Sequence, residues 1–196
     1  MATEKIKYLT KSETKMLYTE IEKDTSRHAK RNKALFMTMK YCALRASEVG
    51  LLLECEYDAE QKNILCHRLK NSRDNIIRIC EPDVIKALND YLVVKPTLYP
   101  ASELLFPSQK GEPISRQTLN HLMKSYCANT SIPKCKQHIH VLKHTRAVEL
   151  ADMGMDIKDI QWWLGHKNIS NTLIYMQFTT TQQEALYQKY IAAMQP

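Results

Sequence analysis

The sequence predicts a mainly helical domain interrupted once by a small antiparallel sheet, an α+β fold. Three observations carry this. Apolar residues recur at helical spacing behind capping residues through both ends of the chain, as with Leu17 and Ile21 behind Thr10. Near the middle the period changes, and two short β-type runs, Asn63–Leu69 and Asn75–Cys80, flank the polar stretch Lys70–Asp74 as a hairpin would. Glycine is scarce: among 196 residues only Gly50, Gly111, Gly154 and Gly165 occur. Four isolated glycines cannot build GxGxxG, a GxxxxGK phosphate loop or a GxSxG elbow, so folds that depend on those motifs are excluded.

Element by element, Thr10-x-x-Glu13 reads as a capping box that opens the first helix. A second helix is expected over Arg27–Ala43, burying Leu35, Met39 and Cys42, and a third from about Arg45-Ala46-Ser47-Glu48 to Leu53. After the hairpin, Pro82 suits the first turn of a helix running to about Val94, and Pro96 and Pro100 mark a loop. Leu104–Ser115 reads as irregular, and Ser115 caps a helix to about Asn129. The last third is helical in pieces. His140–Met153 forms one helix with Gly154 at its exit, and Asp156 caps the next, which buries Ile157, Ile160, Trp163 and Leu164 before Gly165 ends it. Short helices over Ile169–Gln177 and Thr181–Ala193 complete the chain.

Length favours one domain: a motif-bearing body over about 10–178 and a helical tail over 179–196. Met1 lies a few residues before the first capping box, as expected of a complete small protein. No apolar run nears the ~18 residues of a membrane span, the longest being Val49–Leu53, and the charged N-terminus does not resemble a secretory signal. Six cysteines without a CxxC pair argue for reduced thiols, with Cys66 and Cys80 buried, and against a structural zinc; a cytoplasmic protein is expected. Lys and Arg number 28 against 21 Asp and Glu, a net charge of +7, so a polyanion is the leading partner class.

Four places hold residues able to do chemistry. Arg45 sits at the junction of two apolar helices, where its charge needs either an internal partner, Glu48 or Glu54, or an external anion. The hairpin gathers Lys62, His67, Arg68, Lys70, Arg73 and Arg78 with only Asp74 opposing, which suits phosphate contacts or a solvated sheet edge. On one helix, His140 and Lys143 are three residues apart and share an edge, as a phosphate oxygen pair would require. His140 and His144 have the spacing of a zinc motif, but Val141 replaces its glutamate. Lastly, Leu164-Gly165-His166 is followed nine residues later by Tyr175, one of ten tyrosines.

Together these segments resemble the tyrosine recombinases, the family of phage integrases and Xer-type resolvases. Ala43-Leu44-Arg45-Ala46-Ser47-Glu48-Val49 is similar to their first arginine box, His140-Val141-Leu142-Lys143-His144-Thr145 to their H-x-L-R-H box, and Leu164-Gly165-His166 through Thr172 to Tyr175 to their terminal box. Lys70 falls where the family places its hairpin lysine, and the length resembles the small invertases that switch fimbrial genes without a separate core-binding domain. The resemblance implies Tyr175 as nucleophile on a DNA phosphate, giving a 3′-phosphotyrosyl bond and a free 5′-hydroxyl. It implies Arg45 on the non-bridging oxygens, Lys70 as general acid, His140 in proton transfer and His166 on the phosphate. No metal, ATP or other cofactor is implied, and no small-molecule substrate or membrane. Duplex DNA at specific sites is the expected partner, held by a homotetramer whose C-terminal tails, through Ala185, Leu186, Tyr190 and Ile191, dock on neighbouring subunits.

Lys143 departs from the pattern, standing where the family has its second arginine. A compact ammonium replaces a bidentate fork, and one weakened transition-state contact costs about 10²–10³ in rate. Arg146, one turn further, is the candidate substitute. Two other readings therefore stay open: a DNA-binding regulator of recombinase ancestry with weakened cleavage, and a relaxing topoisomerase with related chemistry.

Overall fold

A computed structural model describes residues 6–69, 72–176 and 180–194. Helix α1 (Lys11–Glu22) starts at the expected box: Thr10 Oγ1 accepts from the Glu13 N–H (3.2 Å) and Glu13 Oε2 from the Thr10 N–H (2.7 Å). Helix α2 (Ala29–Tyr41) buries Leu35 and Met39 as its spacing predicts, and Cys42 caps it. Helix α3 is a single turn, Ala46–Val49, and stops short of the expected Leu53. Its continuation is captured by another segment: Leu52 O accepts from Leu105 N–H (2.7 Å) and Glu54 N–H donates to Glu103 O (2.8 Å).

The sheet has three antiparallel strands in sequence order, β1 (Tyr57–Asp58), β2 (Asn63–Cys66) and β3 (Asn75–Arg78), with Tyr57 opposite Ile64, Ile64 opposite Ile77 and Cys66 opposite Asn75. β1 is too short for periodicity to announce. Pairing ends earlier than the apolar runs suggest because Asp74 turns back on β2, accepting from the Arg68 N–H at 2.7 Å and meeting His67 Nδ1 at 2.7 Å. Alternation puts Ile64, Cys66 and Ile77 inside, while Ile76 and Cys80 are exposed, correcting the expectation of a buried Cys80.

Helix α4 (Pro82–Leu98) opens at Pro82 as expected but runs through Pro96, where a loop was anticipated. Pro96 lies in the last turn, so only one intrahelical bond is forfeited there. The helix end is secured by buried Lys95, which pairs with Glu54 and donates to Ser102 O (2.7 Å). Ser115 caps α5 (Arg116–Cys127), and α6 (Val141–Asp152) leaves through Gly154. Helix α7 (Ile157–Leu164) is capped by Asp156, and α8 (Ser170–Met176) and α9 (Thr180–Met194) follow. The main core lies among α1, α2, α4, α5 and the sheet, and a smaller one joins Ala43, Ala147, Val148, Leu150, Ile160, Leu164 and Tyr175. Trp163 packs on both clusters, and Tyr175 belongs to the second. No helix among the described residues is long and apolar enough to cross a membrane.

Candidate active site

The site begins with a backbone feature. Ala43, just past α2, has φ 51°, a left-handed conformation that costs a non-glycine residue about 1–2 kcal/mol. Two buried cations hold it there: the Ala43 carbonyl accepts from Arg68 Nη1 (3.1 Å) and from Lys143 Nζ (2.9 Å). The turn delivers Arg45 to the start of α3. There Glu48, with a fully buried side chain, accepts from the Arg45 N–H (2.8 Å), pairs with Arg45 Nη1 and accepts from the Leu69 N–H (3.2 Å). Burial alone would raise the Glu48 carboxyl; the Arg45 N–H and the charges of Lys143 and Arg45 hold it below the usual carboxylate range. The internal partner weighed from sequence therefore exists and is Glu48, since Glu54 is taken by Lys95. It fixes the guanidinium in place and leaves it partly exposed.

The hairpin is docked on this arginine from both sides of its tip. Arg45 Nη1 donates to Leu69 O (3.2 Å) and Nη2 to Ser72 Oγ (3.2 Å), while the Arg73 N–H donates to Gly165 O (3.0 Å). Lys70, the anticipated general acid, lies outside the described residues.

Arg68 is not a surface phosphate contact but a buried hub. It follows the inward alternation of Ile64 and Cys66, which was the sequence signal available for it. Besides Ala43 O, its guanidinium donates to Cys42 O (2.9 Å), Trp163 O (2.9 Å) and Asn75 Oδ1 (3.0 Å). It thereby ties the Arg45 turn, the hairpin and the end of α7 together. The same crowding explains Gly165: at φ 66° it needs no Cβ, and a Cβ would lie 2.7 Å from Arg68 Cγ and 2.9 Å from Arg73 O.

Lys143 is 2% exposed, and Nζ donates to Leu164 O (3.1 Å) as well as Ala43 O. Burial, reinforced by Arg68 and Arg45 and opposed by Glu48, pushes its ammonium down to about 7. Arg146, the candidate substitute, points elsewhere: it donates to Glu81 Oε1 (2.9 Å) and lies over Tyr41 and Trp163, 4.5 and 4.9 Å from their ring centres. It is not a second donor for the site.

His140 caps α6. Burial, then the charges of Lys143, His138 and Arg45, push its imidazole down to about 4. His166 follows Gly165, and its Nδ1 meets Thr172 Oγ1 of α8 at 3.0 Å; burial and Lys143 and Arg45 push it down to about 3. Tyr175, on α8, is 2% exposed, and its hydroxyl lies 2.9 Å from Nδ1 of His144. Burial raises its phenol to about 12, with Arg45 working in the opposite direction. Arg45, His140, Lys143, His166 and Tyr175 thus share one electrostatic environment. Thr172 and His144 are partners the motif spacing did not assign, although His144 lies one turn beyond His140.

The chemistry open to this arrangement is narrow. Cations confined together, several of them pushed toward neutrality, form a site that an anion relieves. A single phenol stands beside them, and the one buried carboxylate is already engaged. Among the described residues, no group of three or more His, Cys, Asp or Glu could hold a metal.

Comparison with known proteins agrees with the motifs. Residues 7–182 match the model of the phage integrase family. The chain is 35% identical over 170 residues to the type 1 fimbriae regulatory protein FimB of Escherichia coli K12, covering 86% of this chain and 82% of that protein. It is 32% identical over 164 residues to tyrosine recombinase XerD of Proteus mirabilis, covering 82% of this chain but only 51% of XerD. The crystal structure of XerA recombinase superposes with a TM-score of 0.79 at 26% identity, over 93% of this chain and 64% of that one. The fold is also shared with XerH site-specific recombinase bound to a palindromic difH substrate, with a TM-score of 0.80 at 22% identity over 95% of this chain and 54% of that one.

Proposed function

The chain belongs to the phage integrase family, and from that premise we propose that it is a site-specific DNA recombinase, cutting and rejoining duplex DNA through a 3′-phosphotyrosyl intermediate. The observation that carries the reading is the convergence of Arg45, Lys143, His140 and His166 around one buried phenol, with each of the last three pushed toward neutrality by burial and by its neighbours' charges. A phosphodiester supplies the missing negative charge.

In this mechanism Tyr175 Oη attacks phosphorus and the 5′-oxygen leaves. Arg45, fixed by Glu48, Leu69 and Ser72, presents its guanidinium to the non-bridging oxygens. His166, whose Nδ1 meets Thr172 Oγ1, donates a hydrogen from Nε2 to a phosphate oxygen in this reading. Lys143 contributes charge from behind the two carbonyls it holds, and His140 assists proton transfer. Lys70 gives the 5′-oxygen its proton, a role supported by its sequence neighbours: Leu69, just before it, and Ser72, two residues after it, both accept from Arg45. Because the phosphotyrosyl bond conserves the energy of the broken one, the 5′-hydroxyl of another strand reseals it without ATP.

XerH is bound to a DNA substrate, and this chain carries the basic excess a polyanion needs. Paired sites require several subunits. Exposed Tyr187, Tyr190, Ile191 and Met194 on α9 support a homotetramer on DNA joined through C-terminal tails; the side chains of Ala185 and Leu186, expected on the same face, lie outside those described. The proposed location is the bacterial cytoplasm, on the nucleoid.

The test is covalent capture. A pool of nicked duplexes with randomised arms is incubated with the protein, and DNA that survives denaturing electrophoresis attached to protein is recovered and sequenced. Wild type is expected to yield an adduct on a defined sequence and Tyr175→Phe none. Sequence-specific binding without an adduct would instead make the chain a DNA-binding regulator.

A further inference from the structure

We infer that His144 is the proton acceptor for the nucleophile: its Nδ1 takes the hydrogen of the Tyr175 hydroxyl as Oη attacks phosphorus. This rests on the recombinase reading above. Among the described residues the hydroxyl has one hydrogen-bond partner, His144 Nδ1, at 2.9 Å. The Tyr175 hydroxyl is withdrawn from solvent and His144 is half-buried, so the imidazole is the base that reaches that proton. The other bases nearby are occupied or do not reach it. Glu48 is bound to Arg45 and the Leu69 N–H, and His166 Nδ1 is bound to Thr172. His140, one helical turn before His144, packs edge-on against its ring, with centres 4.6 Å apart, and makes no hydrogen bond to the tyrosine. The helix therefore presents two imidazoles on one face, one of them on the phenol.

The groups that act electrostatically on His144 are His140, His138 and Lys143 from its own segment and His166 from the turn after α7, with Tyr175 opposite on α8. Burial, with His140, His138, Lys143 and His166 around it, keeps the imidazole neutral; in the proposed tautomer the ring hydrogen sits on Nε2 and Nδ1 accepts from the phenol. A phosphodiester entering beside Lys143 and Arg45 brings negative charge and raises the basicity of His144 when the proton must move.

The step balances. The Oη–H bond breaks and the proton passes to Nδ1, the phenolic electron pair forms the Oη–P bond, and the P–O5′ bond breaks with its pair on the 5′-oxygen, protonated by Lys70. Resealing runs the same transfers backwards, and the imidazolium returns its proton to Tyr175.

The test uses single-turnover adduct formation on the nicked duplex recovered by covalent capture. His144→Ala removes the acceptor, and His144→Asn places an amide oxygen near the position of Nδ1 that accepts a hydrogen bond without taking a proton. Both are expected to slow adduct formation by about 10²-fold or more at pH 7. Their tyrosine must then ionise unaided, so the ratio of wild-type to variant rates should shrink about tenfold per pH unit between pH 7 and 9.5. Sulfur in place of the bridging 5′-oxygen needs no proton to leave. It should rescue Lys70→Ala but neither His144 variant. His144→Asn cleaving at the wild-type rate, a ratio independent of pH, or rescue by sulfur would each overturn the assignment. Absence of an adduct from wild type, or an adduct from Tyr175→Phe, would overturn the recombinase reading itself.

Discussion

Replacing Lys143 by arginine should change the pH range over which this protein binds DNA. Burial beside Arg68 and Arg45 pushes the Lys143 ammonium down to about 7, so near neutral pH about half of the free molecules carry the charge. A bound phosphodiester favours the charged form, and above that pH binding must be accompanied by proton uptake. Linkage then weakens binding by up to about tenfold per pH unit, until the pH reaches the higher pKa of the complex. Two units above, at pH 9, the loss approaches about 100-fold, or about 2.7 kcal/mol. Arginine does not deprotonate in this range, and its five donors can keep the Ala43 and Leu164 carbonyls while offering one more to a phosphate oxygen. The variant should therefore hold its affinity across pH 6–9. Stability should move with the same group. The unfolded chain binds more protons than the folded one between about pH 7 and the lysine's ordinary 10.5, so wild-type stability rises with pH across that window and the variant's does not. Fluorescence anisotropy of the captured duplex, at fixed ionic strength and half-unit pH steps, reads the affinity. Parallel curves for the two proteins would refute the buried, titrating lysine.

Two further outcomes follow from the buried network. Gly165→Ala forces a Cβ into left-handed backbone and against Arg68 and the Arg73 carbonyl, and should lower unfolding stability by about 2–4 kcal/mol in a urea titration; an unchanged midpoint would contradict the close approach. Arg68→Leu removes the donors that join Cys42, Ala43 and Trp163 and should cost about 3–5 kcal/mol by the same measurement, with cleavage falling even in the fraction that remains folded.

Much of this protein was legible before its structure. The Thr10 capping box, the caps at Ser115 and Asp156, the hairpin and the exits at Gly154 and Gly165 depend on interactions within a few residues, which sequence order records directly. Motif spacing likewise singled out Arg45, His140, Lys143, His166 and Tyr175 as the proposed site, and the fold places them where they act on one another electrostatically. Elements whose limits depend on distant partners were read less well. Helix α3 ends at Val49 because Leu105 and Glu103 claim the following backbone, and α4 continues through Pro96 because Glu54 and the Ser102 carbonyl secure Lys95.

Within the site the same division holds. Charge and residue type are properties of sequence, but the direction of a side chain and the loss of its water are not. Only the folded chain turns Arg68 inward as a hub, sends Arg146 to Glu81 instead of the phosphate position, and commits the Lys143 ammonium to two carbonyls. Only it sets His144 on the Tyr175 hydroxyl. The sequence by itself determined which groups are present and in what order. The tertiary structure decided which are desolvated and which meet, and the burial it imposes on Lys143 and Tyr175, held by contacts made across 21 to 100 residues of chain, sets proton affinities that no local pattern encodes.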